Sequence, residues 1–364
     1  MAMQRDCNTA STEFTPPGSV TEPLTPPPTD SKPSKRVANI LQRLRLQESG
    51  RDVLQSPWFA VKLEPSEYNE LLQLLKNNES LWVFREAKLR YDYDSANSLL
   101  VIRMPTQKHD VFIARVVELV QNRLRVIEGS ETQSSSFAQK IKHNGSGRLI
   151  FRTAENGKQS FIERQPDAEF KHEEARWPGV IIEVSYSQKT KVISHLADDY
   201  ILETNGSIRV VVGLDLDYKT KKATVTIWRP QYVTNANGDV ELEAAQVDCH
   251  IFRDELGNAQ GGGLRLELKD FAPQVLAKDF NDAILIDAVA LCQCLDEAEK
   301  EELEANQTKG FVENLQHGAK KRRRARTPPE ELDSEDEHKF DDDERNVRAR
   351  LSADDISYKP SGTE

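Results

Sequence analysis

Cysteine is scarce in this chain. Only four occur among 364 residues, at Cys7, Cys249, Cys292 and Cys294. None forms a Cys-x-x-Cys pair, and Cys292 and Cys294, two apart on a predicted helix, point to different faces. That excludes a zinc framework or a disulfide scaffold and fits a reducing, intracellular setting. Long apolar runs are missing as well: no stretch approaches the roughly 18 residues of a membrane span. Residues 1–30 hold no apolar signal-peptide core, so no membrane contact and no export are expected. With 30% charged residues, a formal net charge of −11 and a mean hydropathy of −0.64, the chain is too polar to fold throughout. A folded core with disordered ends is the expected division.

The ends carry their own patterns. Residues 1–34 are a Pro/Thr-rich head, with Thr15-Pro16-Pro17 and Thr25-Pro26-Pro27-Pro28, and lack apolar periodicity. Residues 35–56 read as a linker with a possible helix, since Val37, Ile40, Leu41 and Leu44 fall at helical spacing. Such a stripe either packs on a domain edge or meets a partner or DNA. Residues 307–364 form a tail in which Lys320-Lys321-Arg322-Arg323-Arg324-Ala325-Arg326 precedes a carboxylate-rich stretch. Adjacent opposite blocks of charge read as disordered, and the basic block as a nuclear import signal for an import receptor.

Between them, 57–230 reads as the core and 231–306 as an appended hairpin and long helix. The core pattern predicts a helix over 66–76, strands over 88–93 and 99–104, and a helix from Asp110, as its cap, to about Ile127. A flexible loop is expected over 128–147, whose Lys140 and Lys142, with Arg148 and Arg152 beyond, either touch a phosphate backbone or are simply solvated. After Arg148-Leu149-Ile150-Phe151 come a buried strand carrying Val180, Ile181, Ile182 and Val184 behind Pro178-Gly179, a helix over 190–203 and a strand over 208–216. Strand, helix, strand in that order implies a right-handed crossover and a parallel pair. Residues 224–228 read as an outer strand, 244–253 and 264–268 as the hairpin, and 273–306 as the long helix. Asp215 and Asp217 read as strand-end solubility. The fold class is α/β, a mixed central sheet of four or five strands flanked by helices.

One residue in that central strand is out of character. Glu183 lies between Ile182 and Val184, where an ionised carboxylate is costly without a cation or a hydrogen-bond network. Asp167, after Pro166 at the start of a short strand-like run, would lie beside Glu183 if the two segments pair. Two carboxylates at adjacent strand ends make a site for a hard divalent cation, Mg²⁺ or Mn²⁺.

Pro166-Asp167, a spacer, then Glu183-Val184-Ser185, with a helix ending near Tyr200 and Asn205-Gly206, resembles the PD-(D/E)XK nuclease superfamily, and more closely its restriction endonuclease-like branch. The chain also resembles a fungal set with a Thr-Pro-Pro-rich head, a Lys-Leu-Arg-Tyr-Asp-Tyr segment (88–93) and a Trp-Arg-Pro end to the core (228–230). The resemblance covers roughly 80–230. It implies a restriction endonuclease-like core, a metal held by Asp167 and Glu183, and hydrolysis of DNA phosphodiesters in the nucleus. It also implies a His at the start of the preceding helix and a Glu inside it that can approach the metal, positions matched by His109 and Glu118. The family's lysine two residues after the glutamate is Ser185 here, and the lysine that nearest bacterial relatives draw from the following helix is Leu196. Lys189 and Lys191 are the nearest stand-ins for steering the attacking water, with Gln188 as an uncharged one. A small-molecule ligand is not expected. The rivals are a fold that has lost cleavage and binds nucleic acid or protein, and an adaptor working through its tails.

Overall fold

The computed structural model describes residues 33–49, 58–155, 158–186, 190–217, 219–277 and 280–307, with 319, 320 and 322. The chain divides into a unit Met1–Lys309 and a second, Gly310–Glu364, and every element below belongs to the first. The expectations for residues 1–32, and for the tail including all of the basic cluster but Lys320 and Arg322, lie outside the described residues.

The chain enters through α1 (Lys35–Glu48), capped where the Ser34 hydroxyl accepts the Val37 amide at 3.3 Å. Its stripe of Val37, Ile40, Leu41 and Leu44 is buried against α2 (Pro65–Lys76) and α3 (Glu79–Lys88). The edge-packing reading of that helix therefore holds. These three helices cover one face of a five-stranded antiparallel sheet ordered β1-β3-β2-β6-β5. Its strands are β1 (Trp58–Lys62), β2 (Arg90–Asp94), β3 (Leu99–Arg103), β5 (Leu149–Glu155) and β6 (Lys158–Arg164). Side chains alternate across a strand, and the sequence exploits this. Phe59, Val61, Tyr91, Tyr93, Leu100 and Ile102 join the helices in one apolar cluster, while Trp58, Ala60, Asp92, Asp94, Leu99, Val101 and Arg103 face a cleft on the other side.

The second sheet has six strands in the order β11-β10-β9-β8-β7-β4. They are β4 (Ile141–His143), β7 (Ala168–His172), β8 (Val180–Tyr186), β9 (Val210–Leu216), β10 (Ala223–Thr234) and β11 (Val240–Arg253). Strands β8 and β9 are parallel, in register from Val180 opposite Val210 to Tyr186 opposite Leu216, and joined through α6 (Thr190–Leu202). Both faces are covered, which is why these strands are mostly apolar. Val180, Ile182, Val184, Val210, Val212 and Leu214 pack with α4 (Gln107–Glu128) and α7 (Ala288–Asn306). Ile181, Val211 and Trp228 pack with Ile193, Ala197, Tyr200 and Ile201 of α6. Each such aliphatic side chain contributes about 1.5–3 kcal/mol by leaving water. Gly213 is required by closeness: a Cβ there would meet the Trp228 ring at 2.9 Å and the Ile193 side chain at 3.1 Å.

The α/β class and a mixed, helix-flanked sheet are as the pattern implied, but the single central sheet of four or five strands is not. The mixed sheet has six strands, and the strands expected over 88–93 and 99–104 belong to the separate five-stranded sheet, because their apolar face is covered by α1, α2 and α3 instead. Several details differ as well. The helix expected from Asp110 begins at Gln107, because Thr106 supplies the cap by accepting the His109 amide at 3.3 Å. The expected loop over 128–147 contains α5 (Gln133–Ala138) and β4, with Phe137, Ala138 and Ile141 buried. Strand β6 was not anticipated. The hairpin is formed by β10 with β11, not by 244–253 with 264–268, so β10 is not an outer strand. Residues Leu264–Glu267 (β12) pair instead with Ala283–Ile286 (β13). The long helix is correspondingly shorter, starting at Ala288 behind Asp287, whose carboxylate accepts the Ala290 amide at 2.8 Å. A short Ala-Ile-Leu-Ile run cannot be assigned to strand or helix by periodicity alone. Helix α7 packs on α4 and β11 through Leu291, Leu295 and Ala298, in the same apolar cluster as β8 and β9.

Candidate functional site

The two sheets face each other across a cleft of about 580 Å³. Its floor is polar because of strand ends and one helix start. Asp167 ends the link between β6 and β7, Glu183 sits mid-strand on the α6 face of β8, and His109 lies in the first turn of α4. From the opposite sheet come Asp92 on β2 and Arg103, the last residue of β3. The opposite wall is apolar: Trp58, Ala60, Leu99 and Val101 on the sheet, Ile193 and Leu196 on α6.

The carboxylates expected to converge do so, and their contacts are specific. Asp167 Oδ2 accepts the Val184 amide at 2.8 Å and lies 3.1 Å from His109 Nε2. Glu183 Oε1 accepts the Tyr200 hydroxyl at 2.6 Å. One oxygen of each carboxylate is left, and Arg103 addresses both: its Nη1 stands 3.3 Å from Glu183 Oε2 and 3.7 Å from Asp167 Oδ1. Arg103 is itself fixed, with Asp92 at 3.3 Å from its Nε and the Gln165 carbonyl accepting from Nη2 at 2.7 Å. The Gln165 amide closes the ring by donating to Asp92 at 3.2 Å. Asp167 Oδ1 has no hydrogen-bond partner among the described residues.

Two cations thus face three carboxylates in a nearly dry space, the Asp167 and Glu183 side chains being 1% and 2% exposed. Burial raises Asp167, but His109, Arg103 and the Val184 amide outweigh it and hold it well below the usual carboxylate range. Glu183 goes the other way, raised by burial and then by the Asp167 charge, against the opposing pull of Arg103 and Tyr200. His109 is disfavoured as a cation by burial, yet Asp167 and Asp110 win and lift it to about 9. Divergent shifts in one carboxylate pair are how a low-dielectric site disposes of an excess negative charge. A second ion pair flanks the cluster, where Arg164 donates twice to Asp199 on α6, at 2.6 and 2.9 Å.

The remaining expected residues lie apart or outside the description. Glu118 is nine residues along α4 from His109, about 13.5 Å along the helix axis; it is solvent-facing, 3.4 Å from Arg115. Gln188 and Lys189 lie outside the described residues, as does the side chain of Lys191, a first-turn residue of α6. Ser185, two residues after Glu183, donates to Asp215 at 2.7 Å, the residue opposite it on the parallel strand. Asp215 therefore has a specific partner and is more than strand-end polarity. Leu196 is buried and lines the cleft. Arg103 and Asp92 were missed, although the sequence carries a signal for each. Asp92 alternates with Tyr91 and Tyr93, so it must face away from the tyrosines' core. Arg103 terminates an apolar strand on the same cleft-facing register as Leu99 and Val101. Searches of the chain against protein-family models and against curated proteins return no match.

Proposed function

We propose that this chain is a nuclease-like domain that binds nucleic acid in the nucleus without cutting it. The observation that carries this is Arg103. The two carboxylate oxygens left for a divalent ion, Asp167 Oδ1 and Glu183 Oε2, are those its Nη1 faces. As placed, these residues do not fit Mg²⁺ or Mn²⁺, which needs oxygen ligands at about 2.0–2.2 Å. Seating an ion there requires Arg103 to leave Asp92, itself 5% exposed, without its cation. The guanidinium supplies the positive charge a metal would otherwise bring. Ser185 and Leu196, uncharged at the lysine positions, support the same reading. The nucleic-acid and nuclear parts rest on the PD-(D/E)XK resemblance and on the Lys320–Arg326 cluster of the sequence.

One observation favours a metal-dependent nuclease instead: the unpartnered, buried Asp167 Oδ1. One experiment separates the two. The full chain is melted with and without millimolar Mg²⁺ or Mn²⁺, and incubated with plasmid and with labelled duplex. The expected result is no metal-dependent rise in Tm, salt-sensitive duplex binding, and intact plasmid. A rise in Tm with metal together with nicking would establish the nuclease, since only a ligand of the native state stabilises it. Absence of duplex binding at low salt would remove the nucleic-acid reading.

A further inference from the structure

A second cleft, of about 500 Å³, opens beside β10, β11 and β12 and the 3-10 turn Leu268–Phe271. It shares no lining residue with the cleft between the sheets. Four basic side chains line it, Arg209, Arg229, Arg265 and Lys269, with three carboxylates, Asp248, Glu267 and Asp270.

All three carboxylates are engaged. Asp270, buried beneath the cleft, takes both arms of the Arg229 guanidinium, Nη2 to Oδ2 at 2.8 Å. It is pinned in turn by the Glu267 amide, which donates to it at 2.7 Å. Glu267 lies 2.7 Å from Lys269, and Asp248 3.2 Å from His250. That leaves Arg209 and Arg265 with no ion-pair partner among the described residues. Arg265 is exposed, but Arg209 is half-buried. Among the described residues its one side-chain hydrogen bond is to the Gly206 carbonyl, at 3.2 Å, in the turn that ends α6. Gly206 has φ +72 and donates back to Ile201 at 2.8 Å, so the anchor is a helix cap rather than a loose loop. The backbone of Arg209 is held by donation to the Gly179 carbonyl at 2.8 Å.

The cleft therefore presents one guanidinium clamped by a buried acid and a second, half-buried, with most of its donors unspent. Burial lowers the Arg209 pKa and the neighbouring Arg229 lowers it further, against Asp270. A planar guanidinium fork is the group that grips tetrahedral oxyanions bidentately. Ile227, Val247 and Ala277 add an apolar lining, and the volume exceeds that of an inorganic ion.

We propose that this cleft binds a phosphate ester, its phosphoryl oxygens on Arg209 and Arg265 beside the clamped Arg229, its organic part over Ile227 and Val247. The site is independent of the carboxylate cluster, and its test involves no cleavage. The full chain is titrated calorimetrically, at constant ionic strength, with inorganic phosphate, adenosine 5′-monophosphate and adenosine. The monophosphate should bind more tightly than phosphate, and adenosine should not bind. Arg209→Gln and Arg265→Gln should each weaken the monophosphate about tenfold or more, the loss of one charged hydrogen-bonding group, while Arg209→Lys keeps part of it. Arg265 is exposed, so its variant reports even if Arg209→Gln proves unstable. Equal binding by all variants would overturn the site, as would adenosine binding equal to the monophosphate, or no binding by the wild type at millimolar ligand.

Discussion

Replacing Arg103 by methionine removes the one side chain that touches all three buried carboxylates, at 3.3 Å from Asp92, 3.3 Å from Glu183 and 3.7 Å from Asp167. Removing one partner of a buried ion pair costs about 3–5 kcal/mol, because the other charge stays behind uncompensated. The chain has an escape, which is to protonate a carboxylate. Burial and the Asp167 charge already raise Glu183 towards its neutral form, so the proton must go to an aspartate, which at pH 7 costs about 4.2 kcal/mol for an ordinary pKa near 3.9, at about 1.36 kcal/mol per unit. The two routes give the same answer, a loss of about 4 kcal/mol at pH 7. They diverge on acidification, since the protonation route becomes cheaper by about 1.36 kcal/mol for each unit of pH. Urea unfolding of Arg103→Met should therefore show a deficit against wild type of about 4 kcal/mol at pH 7, narrowing to roughly 1–2 at pH 5. A deficit under about 1 kcal/mol at pH 7, where surface ion pairs fall, would refute the reasoning. So would a deficit that does not change with pH.

Two further outcomes are expected. His109 is lifted to about 9 in the folded chain from an ordinary value near 6.5; its contribution is therefore fully present below about 6.5 and is lost as pH rises through about 9. Tm measured from pH 7 to pH 10 should fall more steeply for wild type than for His109→Gln, and parallel curves would remove the imidazolium from the account. Limited proteolysis should leave one resistant fragment running from near Ser34 to near Gln307, because α1 and α7 are both packed into apolar clusters; mass spectrometry showing two pieces divided between β10 and β11 would contradict this.

Legibility in the sequence followed the length and strength of each pattern. The β8–α6–β9 unit could be read because a β-branched run, an amphipathic helix and a second run each exceed the ambiguity of short segments. The approach of Asp167 to Glu183 could be read because strand pairing places Ala168 opposite Ile182, one step from both residues. What could not be read is long-range. Arg103 lies 80 residues from Glu183, on a different sheet, and no local period announces that a cation will arrive from there. The pairing of β12 with β13 failed for a related reason, since four-residue strands carry too few alternations to select a partner.

The five-stranded sheet has a consequence for the order in which the chain can assemble. Nearly all of its apolar cluster, from Val37 to Ile102, lies within one contiguous stretch of chain, with Phe161 added later at the margin. During N-to-C synthesis that layer can collapse on its own helices before Asp167 or Glu183 exists. Arg103 comes next after Ile102 and stays hydrated on the open face until the second sheet arrives. The carboxylates are then dehydrated against a cation already waiting in place, so none of them has to enter the interior alone.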